Sequence, residues 1–190
     1  MLALATALTL APSAVSAQAA DEVRLTDAAG RVLVRVAAAR PTFRLSDGAG
    51  TALGEVRAEQ DRVKLRDPGG TERWKIKRKD WGAEIETGAG ERLFRLRARP
   101  DEWRVEDAAK SVVARVRFVD GAARVRDARG ATLAHVKPAA GGLIVETEDG
   151  RRLAEIAGTA DVRAGAWLAL AQFSPAERAA LWAYFSTVGR

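Results

Sequence analysis

The chain repeats one short phrase at a fixed interval. "VRLTDAAGRVLVRV", residues 23–36, returns as "FRLSDGAGTALGEV" from Phe43, "VKLRDPGGTERWKI" from Val63 and "ARVRDARGATLAHV" from Ala123. Aligning the copies places an aspartate or a threonine at seven positions twenty residues apart: Asp27, Asp47, Asp67, Thr87, Asp107, Asp127 and Thr147. Such a period predicts an array of similar supersecondary units that bury their apolar faces together.

A glycine stands three residues after each of these positions, except in the fifth copy. The residues are Gly30, Gly50, Gly70, Gly90, Lys110, Gly130 and Gly150. An Asp or Thr side chain can accept hydrogen bonds from the next backbone amides, and glycine adopts a positive φ without a clash at Cβ. The phrase therefore predicts a hairpin loop that combines a type I turn with a glycine bulge.

Apolar residues on both sides of each turn predict two strands with inward side chains. A three-residue loop sets residue 25 opposite residue 33, and six of the seven equivalent pairs are purely apolar. Residues 23 and 36 are also apolar in every copy, but 36 follows 33 by three positions instead of two. We therefore expect one extra residue near 34 or 35, a β-bulge that restores the inward face.

Seven hairpins of ~20 residues each predict a mainly β protein, because a lone hairpin is only marginally stable in water. Residues 21–158 should provide about fourteen strands, which form either a closed barrel or a roll. With residues 159–190 they make a single domain of 21–190.

Both ends of the chain depart from the repeat. Residues 1–20 carry no charge and end in small residues, which is typical of a secretory signal peptide; a hydrophobic N-terminal helix is the alternative. We therefore expect export to the periplasm or the extracellular space. At the other end, "SPAER" from Ser174 predicts a capped helix to about Thr187, preceded by a helical turn or two within 162–172. This apolar C-terminal helix either closes one end of the barrel or runs through its centre.

The composition excludes several kinds of chemistry. The chain has no cysteine and one histidine, so disulfides, thiolate metal sites and cysteine nucleophiles are ruled out. The histidine, His135, stands at an outward position among arginines without a partner that would make it a general base. One acidic residue per turn, twenty residues from the next, does not build a calcium loop. No catalytic residue, metal site or cofactor is predicted.

Charge is the clearest surface signal. The formal net charge is +6, and 14 of the 21 residues in three outward columns of the repeat are Lys or Arg. They are densest in copies three to six, which gives a candidate anion-binding set of Lys75, Lys77, Arg78, Lys79, Arg95, Arg97, Arg115 and Arg117. Since neighbouring strands lie ~4.8 Å apart, these residues would form a ladder that faces anionic lipid or polysaccharide. The alternative is a solvated strand face. Few exposed aromatic residues accompany the ladder, which disfavours nucleic acid.

The D-x-x-G hairpins, the basic stretch "KIKRKDW" from Lys75 and the C-terminal helix together resemble the tubby-like superfamily, which includes LURP-one-related and phospholipid scramblase-like proteins. The resemblance covers Glu22 to the end of the chain and implies a barrel around a central C-terminal helix, with a role at anionic lipid. The chain differs from the family in repeat number: it has seven hairpins, whereas six would supply the twelve strands of the family's barrel.

Core, turns and solvated faces account for nearly every residue of the repeat, which leaves few polar groups for a pocket. We therefore expect a non-catalytic binding module or an envelope-associated structural module, without a transmembrane helix in the mature chain. An enzyme with an unrecognised carboxylate site in the barrel is the alternative.

Overall fold

A computed structural model describes residues 22–189; the expected signal peptide, residues 1–20, lies outside this range. Fourteen antiparallel strands close into a barrel in which each strand pairs with its sequence neighbours and the first pairs with the last. They are β1 (Glu22–Asp27), β2 (Val32–Ala39), β3 (Thr42–Ser46), β4 (Ala52–Ala58), β5 (Arg62–Arg66), β6 (Glu72–Lys79), β7 (Gly82–Thr87), β8 (Arg92–Ala98), β9 (Glu102–Asp107), β10 (Val112–Val119), β11 (Ala122–Asp127), β12 (Thr132–Ala139), β13 (Gly142–Glu146) and β14 (Arg152–Ala157). The predicted seven-hairpin barrel is confirmed.

The D-x-x-G turns have the predicted geometry. In the first, the Gly30 amide donates to the Asp27 carbonyl at 3.0 Å, and the Asp27 carboxylate accepts from the Arg31 amide at 3.0 Å. In each of the other six copies, the equivalent Asp or Thr side chain accepts a hydrogen bond from the corresponding backbone amide. Lys110 adopts a φ of +66° in place of glycine. We call this end of the barrel the turn end, and the opposite end the loop end.

The predicted strand register is wrong by one position. Leu25 pairs with Val34 and Thr26 with Val32, so Leu33 has no partner and is the bulged residue. The same shift recurs in all seven hairpins. The fully inward residue of the return strand is therefore 34 rather than 33. Leu33 still packs partly buried against the core, whereas its counterpart Leu133 is 48% exposed.

Two helices and a 3₁₀ turn follow the barrel strands. Helix α1 (Val162–Gly165) continues into the 3₁₀ helix Ala166–Ala169, and helix α2 spans Pro175–Thr187. Ser174 caps α2 and forms the predicted capping box with Glu177.

Helix α2 runs through the barrel instead of closing one end. Its residues 179–185 are all buried, which covers nearly two turns and therefore every side of the helix. At the loop end, the Tyr184 hydroxyl lies 3.5 Å from the Gly82 carbonyl. At the turn end, Ser174 and Glu177 line a cavity with residues of β4 and β5. Strands therefore surround the helix.

Aromatic side chains fill the space between helix and strands. Phe185 stacks on Trp167 at a centroid distance of 4.1 Å and meets the ring of Trp103 on β9 edge-on at 4.9 Å. Phe43 on β3 contacts Trp182 in the same edge-on manner at 5.6 Å. Because the lumen is packed in this way, polar groups that could contact a large partner lie on the outer wall or at the barrel ends.

Candidate anion-binding surface

The eight predicted residues do not form one uniform ladder. Three of them lie on β6 with their side chains outward, and all three have acidic neighbours. Lys75 Nζ lies 3.0 Å from Glu72, Lys77 Nζ lies 2.8 Å from Glu86, and Lys79 Nζ lies 3.9 Å from Glu84. Charges that are already paired add little to the attraction of an external anion. The positive charges of the β6 lysines are therefore largely neutralised within the barrel wall.

Strand β7 supplies two of the three acidic residues that neutralise these lysines. Its outward residues Glu84 and Glu86 face Lys77 and Lys75 across the β6–β7 ladder. Burial alone would raise the pKa of Glu86, but the hydrogen bond and charge of Lys77 outweigh it and lower that pKa. Glu86 thus stays ionised, and β7 is an acidic stripe that separates the basic residues of β6 from those of β8.

Arg78 is exposed at the loop end of the barrel, apart from the outward residues of β6. Arg78 lies between Lys77 and Lys79 on β6, and successive side chains of a strand point to opposite faces. Its side chain therefore points to the inner side of β6, at the loop end. Its guanidinium donates across 3.5 Å to the carbonyl oxygen of Val188, just after the last turn of α2. A cation near a helix C-terminus is favourable for the helix dipole. Arg78 therefore lies apart from the outward columns of the wall, and its place in the anion-binding set stays a prediction.

The strongest basic feature lies on β8 to β11. Arg97 is directly opposite Arg104, Arg104 is opposite Arg115, and Arg115 is opposite Arg126. We call these four residues the arginine row. Together with the outward residues Arg95, Arg117 and Arg124 beside it, the row forms the arginine face. Directly opposed like charges destabilise a sheet, so the row is a feature that the fold alone does not favour.

Most arginines of this face have no acidic partner. Within residues 22–189, ion pairs are formed by Arg104 with Glu102 at 2.7 Å and by Arg117 with Asp101 at 2.8 Å. Five others form none there: Arg95, Arg97, Arg115, Arg124 and Arg126. The Nε atoms of three of these, Arg95, Arg115 and Arg126, are also shielded from water without a hydrogen-bond partner. Arg95 lies directly opposite Glu84 and Glu106, whereas Arg97, Arg115 and Arg126 have no acidic residue directly opposite them. Guanidinium groups without an acidic neighbour are suited to phosphate or sulfate oxygens.

Trp81 adjoins the arginine face at the loop end. Its ring lies under the guanidinium groups of Arg97 and Arg95, at 5.2 and 5.9 Å from the centroid. The side chain is half-buried, at the tip of the β6–β7 connection. An amphipathic indole beside several cations is a combination found where a protein meets a membrane interface.

The predicted set missed Arg104, Arg124, Arg126 and Trp81. The three arginines occupy outward strand positions, and a correct register would have placed Arg104 between Arg97 and Arg115. The signal was therefore present in the repeat alignment. Trp81 lies in a connection outside the repeated phrase, but it ends the basic stretch "KIKRKDW" that begins at Lys75, so the sequence does place it beside the predicted set.

His135 lies on the outer wall, opposite Arg124 on one side and Glu146 on the other. Residues 22–189 contain no cluster of three or more His, Cys, Asp or Glu residues that could hold a metal ion. Across this same range, no helix has both the length and the apolar character needed to cross a membrane.

No protein-family model and no curated protein matches the chain. Among solved structures, the chain is similar to an Arabidopsis thaliana protein determined by X-ray crystallography. That similarity has a TM-score of 0.38 at 12% identity and covers 73% of this chain and 80% of that chain. A similarity of this size assigns neither a family nor a function.

Proposed function

We propose that the protein is a non-catalytic binding module that docks on an anionic membrane surface through the arginine face. The observation that carries the proposal is the arginine row, four directly opposed guanidinium side chains on adjacent strands. Each opposed pair of like charges costs the sheet roughly 0.2–1 kcal/mol, which a bound layer of phosphates would offset.

The shape of the surface favours an extended partner. The principal cavities of the described barrel lie at its two ends, and none of them is lined by a residue of the arginine row. A basic strand face without a groove attracts many phosphates weakly instead of enclosing one. A leaflet of anionic lipid offers such an array, and basic residues near it contribute about 1 kcal/mol each.

Trp81 favours a membrane over a soluble polyanion. Its indole ring already contacts two cations of the arginine face, so the same docking movement would bring it to the headgroup layer. A sulfated polysaccharide would also use the arginines, so heparin and anionic vesicles have to be compared directly. The resemblance to tubby-like proteins also implies an anionic lipid.

Vesicle sedimentation tests the proposal. The protein should sediment with phosphatidylcholine vesicles that contain phosphatidylglycerol, and should remain in solution with phosphatidylcholine alone. Binding should weaken steeply between about 0.1 M and about 1 M salt, because the Debye length falls from ~10 to ~3 Å. Equal binding to both vesicle types would overturn the proposal. Binding to heparin or polyphosphate without binding to anionic vesicles would also overturn it, in favour of a polymer.

A further inference from the structure

The chain has one histidine, and the barrel places it beside the arginine face. His135 lies on β12 between the buried residues Ala134 and Val136, so its side chain points outward. It is directly opposite Arg124 on β11, which in turn is opposite Arg117 on β10. Arg117, Arg124 and His135 therefore form a second row across three adjacent strands, alongside the arginine row.

The charged groups around His135 are mostly cations. Arg124 lies opposite it on β11, with Arg126 at the next outward position of that strand, and Lys137 follows it on β12. Glu146 lies opposite it on β13, but the Glu146 carboxylate already accepts from Lys137 Nζ at 3.0 Å. Since no uncommitted carboxylate among these neighbours faces the ring, a proton on His135 would raise the net positive charge beside the arginine face.

The imidazole ring is able to change its charge near neutral pH. Histidine is the side chain that ordinarily gains a proton between about pH 8 and about pH 5, whereas carboxylates stay ionised and Lys and Arg stay protonated over that range. His135 is half-buried, and its Nε2 has no hydrogen-bond partner within residues 22–189, so protonation breaks no hydrogen bond at that atom. Because the chain has a single histidine and no cysteine, His135 is the one side chain expected to change its charge there.

We propose that His135 makes docking on an anionic membrane pH-dependent, with tighter binding below about pH 6 than above about pH 7. The inference rests on the membrane docking proposed above and concerns its regulation. Neutral His135 leaves the second row with two cations, and protonated His135 extends the positive charge to a third strand. Because the two equilibria are linked, docking also favours the protonated ring by the same factor.

Vesicles of phosphatidylcholine and phosphatidylglycerol are suitable probes, because a phosphodiester has no second ionisation that would change the membrane charge over this range. Wild type should bind them about fivefold more tightly at about pH 5.5 than at about pH 7.5, which corresponds to one added basic residue near an anionic surface. His135→Gln should bind at both pH values as wild type does at the higher one. His135→Arg should bind at both values about as tightly as wild type does at the lower one.

A displaced histidine is the matched control. Ser46 points outward on β3, opposite Arg35 and on the side of the barrel away from β8–β11. Ser46→His combined with His135→Gln returns a histidine to the chain without placing it beside the arginine face. The pH dependence of binding should remain absent in this double variant, and melting temperatures check that each variant is folded.

Three outcomes would overturn the inference. Equal affinity of wild type at the two pH values would remove the regulation and leave the docking in place. Full pH dependence in His135→Gln would mean that another group titrates. Absence of binding to anionic vesicles at both pH values would overturn the docking together with its regulation.

Discussion

Arg104 on β9 and Arg115 on β10 lie directly opposite each other on the outer wall of the barrel. Arg104 is held by Glu102 at 2.7 Å, whereas Arg115 forms no ion pair within residues 22–189 and its Nε has no hydrogen-bond partner. The pair is therefore a contact between like charges in which an acidic residue compensates Arg104 but not Arg115. It is also the centre of the surface to which we assign binding.

Replacing Arg115 should make the folded protein more stable. Arg115→Gln removes one of two opposed charges and keeps much of the side-chain stem, so we expect the free energy of unfolding to rise by up to ~0.5 kcal/mol. Lys75→Gln should instead lower it, because Lys75 pairs with Glu72 at 3.0 Å. Urea unfolding measures both. Equal destabilisation by the two substitutions would mean that the arginine row is not a strained contact.

The turns give a second prediction. Gly50 has a φ of +87°, and a Cβ placed there would meet nothing within 4 Å, so the conformation alone decides the cost. Gly50→Val should lower the free energy of unfolding by ~1–3 kcal/mol, because a β-branched residue is strained at positive φ. Lys110→Ala, at a φ of +66°, should be nearly neutral because a side chain already occupies that turn. Equal melting temperatures for the two variants would contradict the turn geometry.

Acid should weaken the first turn through Asp27. The backbone amide of Arg31, followed by its guanidinium, lowers the pKa of Asp27 below its ordinary 3.8. The carboxylate is therefore stabilising above pH ~3.8, and this contribution is lost as the pH falls through the lower pKa of the folded state. Asp27→Asn should be less stable than wild type near pH 7 and should lose less stability than wild type on acidification. Parallel melting curves from about pH 5 to about pH 2 would argue against this role.

The chain contains one tyrosine, which makes its ionisation directly observable. Burial inside the barrel raises the pKa of Tyr184 from 10.0 to about 12. Because the folded state favours the neutral phenol, Tyr184 stabilises the fold below pH ~10, and this contribution is lost as the pH rises toward the higher value. Tyrosinate absorbance should titrate near pH 12 in folded protein and near pH 10 in denaturant. A folded-state midpoint near 10 would place Tyr184 outside the lumen.

The repeat predicts the barrel well because turn chemistry is local. Each D-x-x-G phrase specifies a turn by itself, and seven turns at one spacing leave few arrangements for the strands between them. The bulge is misplaced by one residue because Leu33 and Val34 are both apolar, so alternation alone cannot identify the unpaired one. The pairing of Leu25 with Val34 in the structure identifies Leu33 as the unpaired residue.

The candidate surface is harder to predict because charge depends on neighbours from other strands. Lys77 and Arg97 look equivalent in the repeat, but Lys77 is 2.8 Å from Glu86, whereas Arg97 faces Arg104. The cavity between β1–β3 and the last turn of α2 also has no sequence signal, because the repeat does not define the distance between the helix and these strands.

The arginine face is tested most directly by two variants of equal charge on anionic vesicles. One carries Gln at the arginine row, Arg97, Arg104, Arg115 and Arg126. The other carries Gln at four lysines that all have acidic partners: Lys64, Lys75, Lys77 and Lys79. At ~1 kcal/mol for each basic residue, the row variant should lose roughly 4 kcal/mol, close to a thousandfold in affinity, and the lysine variant about tenfold or less. Equal losses in the two folded variants would contradict the account, because net charge rather than the arginine row would then govern binding.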